Sequence, residues 1–340
     1  MTTARPKRGR SKALIKCTIL PIVEKKGIHV RLNLWQSQGM KTQPLIELAG
    51  LISRHVQVSG SPLEGLPSVV LGIERAPTPP CPYVSDPVFS LIASGRKQIE
   101  YGDHMITYGP GQGMVVSIEL PMNARVIEAT QDEPFLGFGL RLQPQLVAGL
   151  LLEHASQAPP EPISGLAVAE ASDALVDAVL RLLRLLDFPS DIPVLAPAIE
   201  REIIWRLLST PQGHALRAIG LADSGSTKIS RAIRWLRGHF AEAVEVKTLA
   251  NIAGMSETSF HRHFRSVTSM TPIQFQKQLR LHEARARLVA AAGDVAQIAF
   301  AVGYDSPSQF SREYRRQYGR PPGADGRELR AEGGLSAAIP

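Results

Sequence analysis

The chain has 340 residues, 44% of them apolar, and carries a formal net charge of +7. That length suggests two domains and that apolar share is enough to build real cores. Its two cysteines, Cys17 and Cys81, exclude a disulfide framework and a paired-cysteine zinc motif, and a reducing cytoplasm is the simplest compartment.

Charge is distributed in blocks. Residues 1–41 carry +9, residues 42–225 carry −9 and residues 226–322 carry +8, so a basic C-terminal block follows an acidic middle one. That arrangement fits phosphate binding by one domain only. The apolar piece Ile19–Val23 is broken by Pro21 and falls far short of a membrane span.

Residues 1–41 are basic and poorly periodic, which predicts a disordered extension. Three roles compete for it: a basic arm on DNA phosphates, a short targeting segment, or an upstream start. Met40 stands two residues before the first domain signal at Thr42, which favours the last.

A helix is predicted over 42–55, with Leu45, Leu48, Leu51 and Ile52 on one stripe. Seven short strands follow at 69–75, 88–93, 97–101, 104–108, 114–120, 124–129 and 135–142, with turns at Gly102-Asp103 and Gly109-Pro110-Gly111. Strands of this length and spacing argue for a small sandwich or barrel. An enzymatic metal site of the barrel kind needs several histidines, and this stretch offers only His104. His261 and His263 sit two apart on a predicted helix and diverge by about 200°, so no metal and no cofactor is expected. Cys81, in Pro79-Pro80-Cys81-Pro82, would be a sensor if its thiol were exposed and acidified. The alternative is a buried or idle thiol, favoured because no cationic neighbour is near in sequence.

Helices return at about 171–208. Leu175, Val179, Leu182, Leu183 and Leu186 form one stripe, Pro189 and Pro193 a break, and Ile199, Ile203 and Leu207 a second stripe. Internal packing and a dimer interface are both open uses of that leucine. A linker is expected at 213–227, loosest at Ser224-Gly225-Ser226. Lys228–Phe240 then opens a basic helical domain ending at 322, with a disordered tail over 323–340.

Inside 228–322 one pattern occurs twice, which marks a repeated supersecondary unit. Leu249-Ala250, Ala253-Gly254, Phe260, Arg262, Phe264-Arg265 and Pro272 align with Ile298-Ala299, Val302-Gly303, Phe310, Arg312, Tyr314-Arg315 and Pro322. Each copy reads as a helix, a glycine turn and a second helix, capped by Ser256 in one copy and Ser306-Pro307 in the other. With Phe260, Phe264, Val267, Phe310 and Tyr314 turned inward, the outer faces carry Thr258, His261, Arg262 and Arg265 in copy one. In copy two they carry Ser308, Gln309, Ser311, Arg312, Arg315 and Arg316. Arg pairs with guanine edges, Gln with adenine, and Ser and Thr with base edges or phosphates. Thr271-Pro272 opens a connecting helix of some 20 residues closed by Gly293. Such a helix spans roughly 30 Å, close to one duplex turn of about 34 Å.

Residues 226–322 resemble the paired helix-turn-helix domain of AraC/XylS-type bacterial transcription regulators. The resemblance is carried by the Leu249-Ala250-x-x-Ala253-Gly254-Met255-Ser256 run, Phe260-x-Arg262-x-Phe264, Thr271-Pro272, Arg280-x-x-x-Ala284-x-x-x-Leu288 and Gly303-Tyr304-x-Ser306-Pro307-Ser308-x-Phe310-Ser311-Arg312. It departs from the family at Pro322-Gly323-Ala324-Asp325-Gly326, where a Pro-x-x-aromatic-Arg closure is usual. Residues 64–154 resemble the N-terminal cupin-like domain of one branch of that family, through Gly65-Leu66-Pro67-Ser68, Pro77-Thr78-Pro79-Pro80, Gly95-Arg96-Lys97, Tyr108-x-x-Gly111 and Glu133-Pro134.

The expected architecture is therefore α+β: a cupin-like β-barrel with flanking helices over 42–212, then an all-α double helix-turn-helix domain. The resemblance implies a cytoplasmic, non-enzymatic transcription regulator, an activator, with promoter double-stranded DNA and RNA polymerase as partners. It also implies a small-molecule effector in the barrel and a homodimer. A cupin-type metal enzyme, a constitutive DNA-binding protein and a protein-interaction module are the other readings.

Overall fold

A computed structural model describes residues 43–331 except 57–58, 154–163, 221–224 and 291–293. The basic extension, Gly293, Ser224 and the last residues of the expected tail lie outside the described residues.

Alternation along the strands decides how the N-terminal half layers. Helix α1 (Gln43–His55) buries Leu45, Leu48, Leu51 and Ile52, the stripe its spacing predicts. Ten strands follow: β1 (Pro62–Leu63), β2 (Leu66–Glu74), β3 (Cys81–Ser85), β4 (Val88–Ser94), β5 (Arg96–Tyr101), β6 (His104–Tyr108), β7 (Gln112–Val116), β8 (Leu120–Glu128), β9 (Phe135–Arg141) and β10 (Leu166–Glu170). They form an antiparallel sheet ordered β1-β2-β9-β4-β7-β10 and a second ordered β3-β8-β5-β6. On β4, Phe89, Leu91 and Ala93 join a core with the flanking helices, while Val88 and Ile92 face the second sheet. Ser90 and Tyr108 share a hydrogen bond of 3.2 Å from one sheet to the other.

The expected domain is present, but as two facing sheets rather than a closed barrel. The strand expected at 114–120 ends at Val116, and Leu120 already belongs to β8. β1, β3 and β10 were not expected from the sequence. Pro82 speaks against a strand, yet β3 is an edge strand, where a missing backbone donor is tolerated.

Helices α2 (Pro144–Glu153), α3 (Asp173–Arg184), α4 (Ile192–Leu208) and α5 (Gly213–Gly220) complete this half. Leu175, Val179, Leu182, Leu183, Ile203 and Leu207 are buried in one core with α1 and the larger sheet. The leucine stripes are thus internal packing. Residues 213–220 are helical rather than a linker, because Ala215 and Leu216 enter that same core.

The C-terminal half comprises α6 (Gly225–Gly238), α7 (Val246–Ala253), α8 (Glu257–Thr268), α9 (Pro272–Ala290), α10 (Val295–Ala301), α11 (Pro307–Tyr318) and α12 (Pro322–Ala331). The disordered tail expected from 323 is corrected by α12, which runs to Ala331 and buries Leu329 and Asp325. Asp325 takes two hydrogen bonds from Arg285, at 2.8 and 3.3 Å, and one of 2.6 Å from the Tyr314 hydroxyl. Both charged side chains of that pair are only 6% exposed.

The halves meet along a seam. Arg237 on α6 donates to Glu119 at 2.6 Å and to Asp86 at 3.3 Å, Gly165 N–H donates to Val267 O at 2.9 Å, and Arg285 Nη1 donates to Pro80 O at 2.8 Å. One apolar core runs from the inside of the sandwich into α6, α7, α8 and the start of α9. A separate core serves the end of α9 with α10 and α11.

Two stability predictions follow from buried charge. Asp325→Ala leaves the Arg285 guanidinium uncompensated and is expected to lower unfolding free energy by about 3–5 kcal/mol in urea titrations; unchanged stability would show that the pair is not buried in solution. His282 on α9 has neither ring nitrogen hydrogen-bonded among the described residues, and burial, then Arg285, lowers its pKa to about 3. The unfolded chain binds that proton near pH 6.5, so this contribution is intact above that value and is lost as pH falls towards 3. His282→Leu is expected to abolish about 2 kcal/mol of the stability loss between pH 7 and 5, measured by denaturation at both pH values.

Candidate nucleic-acid interface

Each helix-turn-helix copy is set by local signals. In copy one, Gly254 closes α7 in the left-handed conformation at φ 65°, and the Ser256 side chain accepts from Ser259 N–H to cap α8. In copy two, Gly303 makes the turn at φ 90°, and Ser306 caps α11 from Gln309 N–H with Pro307 at the first helical position. Between them, Thr271 Oγ1 accepts from Gln274 N–H at 3.2 Å while Gln274 Oε1 accepts from Thr271 N–H at 2.8 Å. That reciprocal capping box fixes where α9 begins.

Aromatic packing sets how far each recognition helix can turn. Phe260 and Phe264 of α8, and Phe310 and Tyr314 of α11, are fully buried. The opposite faces must then point out. Thr258, His261, Arg262 and Arg265 are all exposed on α8, as are Ser308, Gln309, Arg312, Arg315 and Arg316 on α11, with Ser311 half-buried. The structure brings the two predicted groups to the surface at equivalent positions of two helices.

The free state of these arginines is the electrostatic signature of the surface. Elsewhere Arg181, Arg201, Arg206, Arg237, Arg285 and Arg287 hold carboxylates. Among the described residues, Arg262, Arg265, Arg312, Arg315 and Arg316 have no acidic partner, so their charge remains for an external anion. The Gln309 side chain donates a long bond of 3.4 Å from Nε2 to Glu313.

His261 is exposed, whereas His263 turns its Nδ1 back to the Ser259 carbonyl at 2.8 Å. The two rings do not converge. In the N-terminal half, burial pushes the Cys81 thiol pKa up, the reverse of what an activated thiolate needs, although Arg285 and Lys97 act against that shift. Neither cation was visible beside Cys81 in the sequence.

Lys97 is the functional candidate that sequence reasoning missed. It is 2% exposed between the sheets, its ammonium stands 5.9 Å from the Tyr83 ring centroid, and burial lowers its pKa to about 7. The signal was its phase: Lys97 alternates with the inward-facing Ile99 and Tyr101.

Two helix-turn-helix units joined by one helix, on a chain that also carries an antiparallel sandwich, define a class of paired-reader proteins. Residues 65–215 match the model of the AraC-type transcriptional regulator N-terminus, and residues 249–327 match that of a helix-turn-helix domain. The chain belongs to the AraC-type transcriptional regulators. It is 32% identical over 139 residues to the HTH-type transcriptional activator RhaS of Escherichia fergusonii, a match spanning 40% of this chain and 47% of that protein. Identity to RhaS of Enterobacter sp. is 31% over 108 residues, 32% of this chain and 37% of that one. The match thus spans less than half the length of these relatives. Among solved structures, ToxT from Vibrio cholerae O395 superposes with a TM-score of 0.50 at 9% identity, covering 76% of this chain and 98% of that chain. That likeness is one of fold.

Arg312→Ala and Arg262→Ala are each expected to cost about 1–3 kcal/mol of binding to the preferred DNA and to relax base preference at one position. Competition binding against single-base variants of the site reads both effects; an unchanged preference profile removes the residue from the reading face.

Proposed function

We propose that the protein is a sequence-specific regulator that activates transcription by holding promoter DNA with α8 and α11 in successive major grooves, and that a small molecule in the sandwich tunes it. The observation that carries this reading is the pair of recognition helices presenting, at equivalent positions, exposed arginines that hold no carboxylate among the described residues. In the proposed complex Arg262 and Arg312 read guanine, Gln309 reads adenine, and Thr258, His261, Ser308 and Ser311 make the remaining base or phosphate contacts. Arg265, Arg315 and Arg316 hold the backbone. RNA polymerase is the partner through which bound protein activates.

For the effector, the buried position of Lys97 between the sheets, with a pKa that burial lowers to about 7, supports an anionic small molecule, which would favour the charged amine. Signals from the sandwich have a direct route to the readers across the seam of Arg237, Gly165 and Arg285. A homodimer would use a surface other than the leucine stripes. The outer side of α4, where Val194, Leu195 and Trp205 are exposed, supports that contact. A constitutive DNA-binding protein is the competing reading, and the effector test separates the two.

Selection from random DNA is expected to return two half-sites about one helical turn apart, with affinity falling steeply as salt rises; recovery of no common sequence rejects the regulator reading. Thermal denaturation against a panel of small carboxylates is expected to find one that stabilises the wild type but not Lys97→Met. Its affinity should weaken as pH rises above about 7, because binding then requires Lys97 to take up a proton. No stabilisation by any anion leaves the sandwich without the assigned ligand class.

A further inference from the structure

The two turn glycines are not equivalent. At Gly254 a Cβ would meet open space, so only the left-handed backbone calls for glycine there. At Gly303 a Cβ would stand 2.2 Å from the Ala241 carbonyl oxygen. The second turn is therefore laid directly on the backbone that connects α6 to α7, which belongs to the first unit.

Arg280, in the first half of α9, closes over that contact. Its Nε donates to Phe240 O at 2.7 Å, its Nη2 to Glu242 O at 2.9 Å and its Nη1 to Gly303 O at 2.7 Å. One guanidinium thus binds carbonyls of both units, in a fork geometry that a lysine lacks. One turn earlier, Gln276 Nε2 donates to Phe240 O and Glu242 O at 2.9 and 2.7 Å. Beside Gly303, the Tyr304 hydroxyl donates to Glu313 of α11 at 2.9 Å, and Lys277 of α9 holds the same carboxylate at 3.0 Å. The buried apolar cores of the two units are otherwise separate clusters, with Phe240 packed against both.

A helix of 19 residues fixes the distance between its ends but leaves open how a unit is turned about its axis. On DNA that rotation matters, since each added base pair moves a half-site by about 3.4 Å and turns it by about 34°. We propose that Arg280, clamped over the contact of Gly303 with Ala241, sets which half-site spacing and rotational phase the protein accepts. It is a positioning residue that acts through the seating of the second unit. The inference rests on the reading above that α8 and α11 both engage DNA.

The test uses the full chain, duplexes carrying the two selected half-sites with one or two base pairs inserted or deleted between them, and a duplex with a single half-site. Wild type is expected to favour one spacing by about tenfold or more over its neighbours. Arg280→Gln is expected to reduce that preference to about threefold or less while single half-site affinity stays the same. Gly254→Asn, which tolerates the left-handed turn and meets no neighbour, should keep the wild-type spacing profile. If Arg280→Gln does not fold by circular dichroism, Gln276→Ala and Arg280→Lys are read in the same way. A spacing preference retained in the variants overturns the proposal alone, as does a uniform loss of affinity with the profile unchanged. A wild type indifferent to spacing overturns it together with the paired-reader reading.

Discussion

The second helix-turn-helix unit hangs on one buried ion pair. Arg285 and Asp325 are both withdrawn from water, which costs several kcal/mol per ion unless their remaining hydrogen-bonding capacity is met. Here it is met by specific neighbours: the Tyr314 hydroxyl bonds Asp325, the Pro80 carbonyl accepts from Arg285, and the Tyr318 ring lies 4.6 Å from the guanidinium carbon. That set ties α9, α11, α12 and the residue just before β3 into one arrangement. Removing either member of the pair strands the charge of the other, so the arrangement is specified more sharply than apolar packing alone would specify it.

The arginines of the C-terminal half divide into two populations. Arg237, Arg280 and Arg285 are spent inside the protein on carboxylates and backbone carbonyls, whereas those of the recognition faces are solvent-facing and have no acidic partner among the described residues. Net charge therefore overstates what is offered to DNA, and position on the helix decides which arginine counts. Phe260 and Phe310 make that sorting possible, because once they are buried the phase of each recognition helix is settled.

Much of this was legible in the amino-acid order. The stripe of α1, the caps at Ser256 and Ser306, the turns at Gly254 and Gly303 and the outer faces of α8 and α11 all follow from local spacing and cap chemistry. What was hidden depends on tertiary partners. Helix α12 starts Pro-Gly-Ala-Asp-Gly, a poor helical run, and forms where Asp325 meets Arg285 and Leu329 is buried. β3 carries Pro82 and forms where it pairs with β8. Arg280 was visible as part of a linker motif, but its carbonyl partners lie 38 to 40 positions back and 23 ahead, beyond any local pattern.

The end of α8 is braced by the sandwich itself. Val267 O accepts from Gly165, and the Ser269 carbonyl lies so close to Gly102 that a Cβ there would stand 2.9 Å away. The second unit meets the sandwich differently, through the Arg285 side chain, which donates to the Pro80 carbonyl just before β3. A displacement of the sandwich would therefore reach α8 directly through backbone contacts, and the second unit through Arg285 and the Arg280 clamp. The two units are thus coupled to the sandwich by unlike means: main-chain contact for the first and one buried guanidinium for the second.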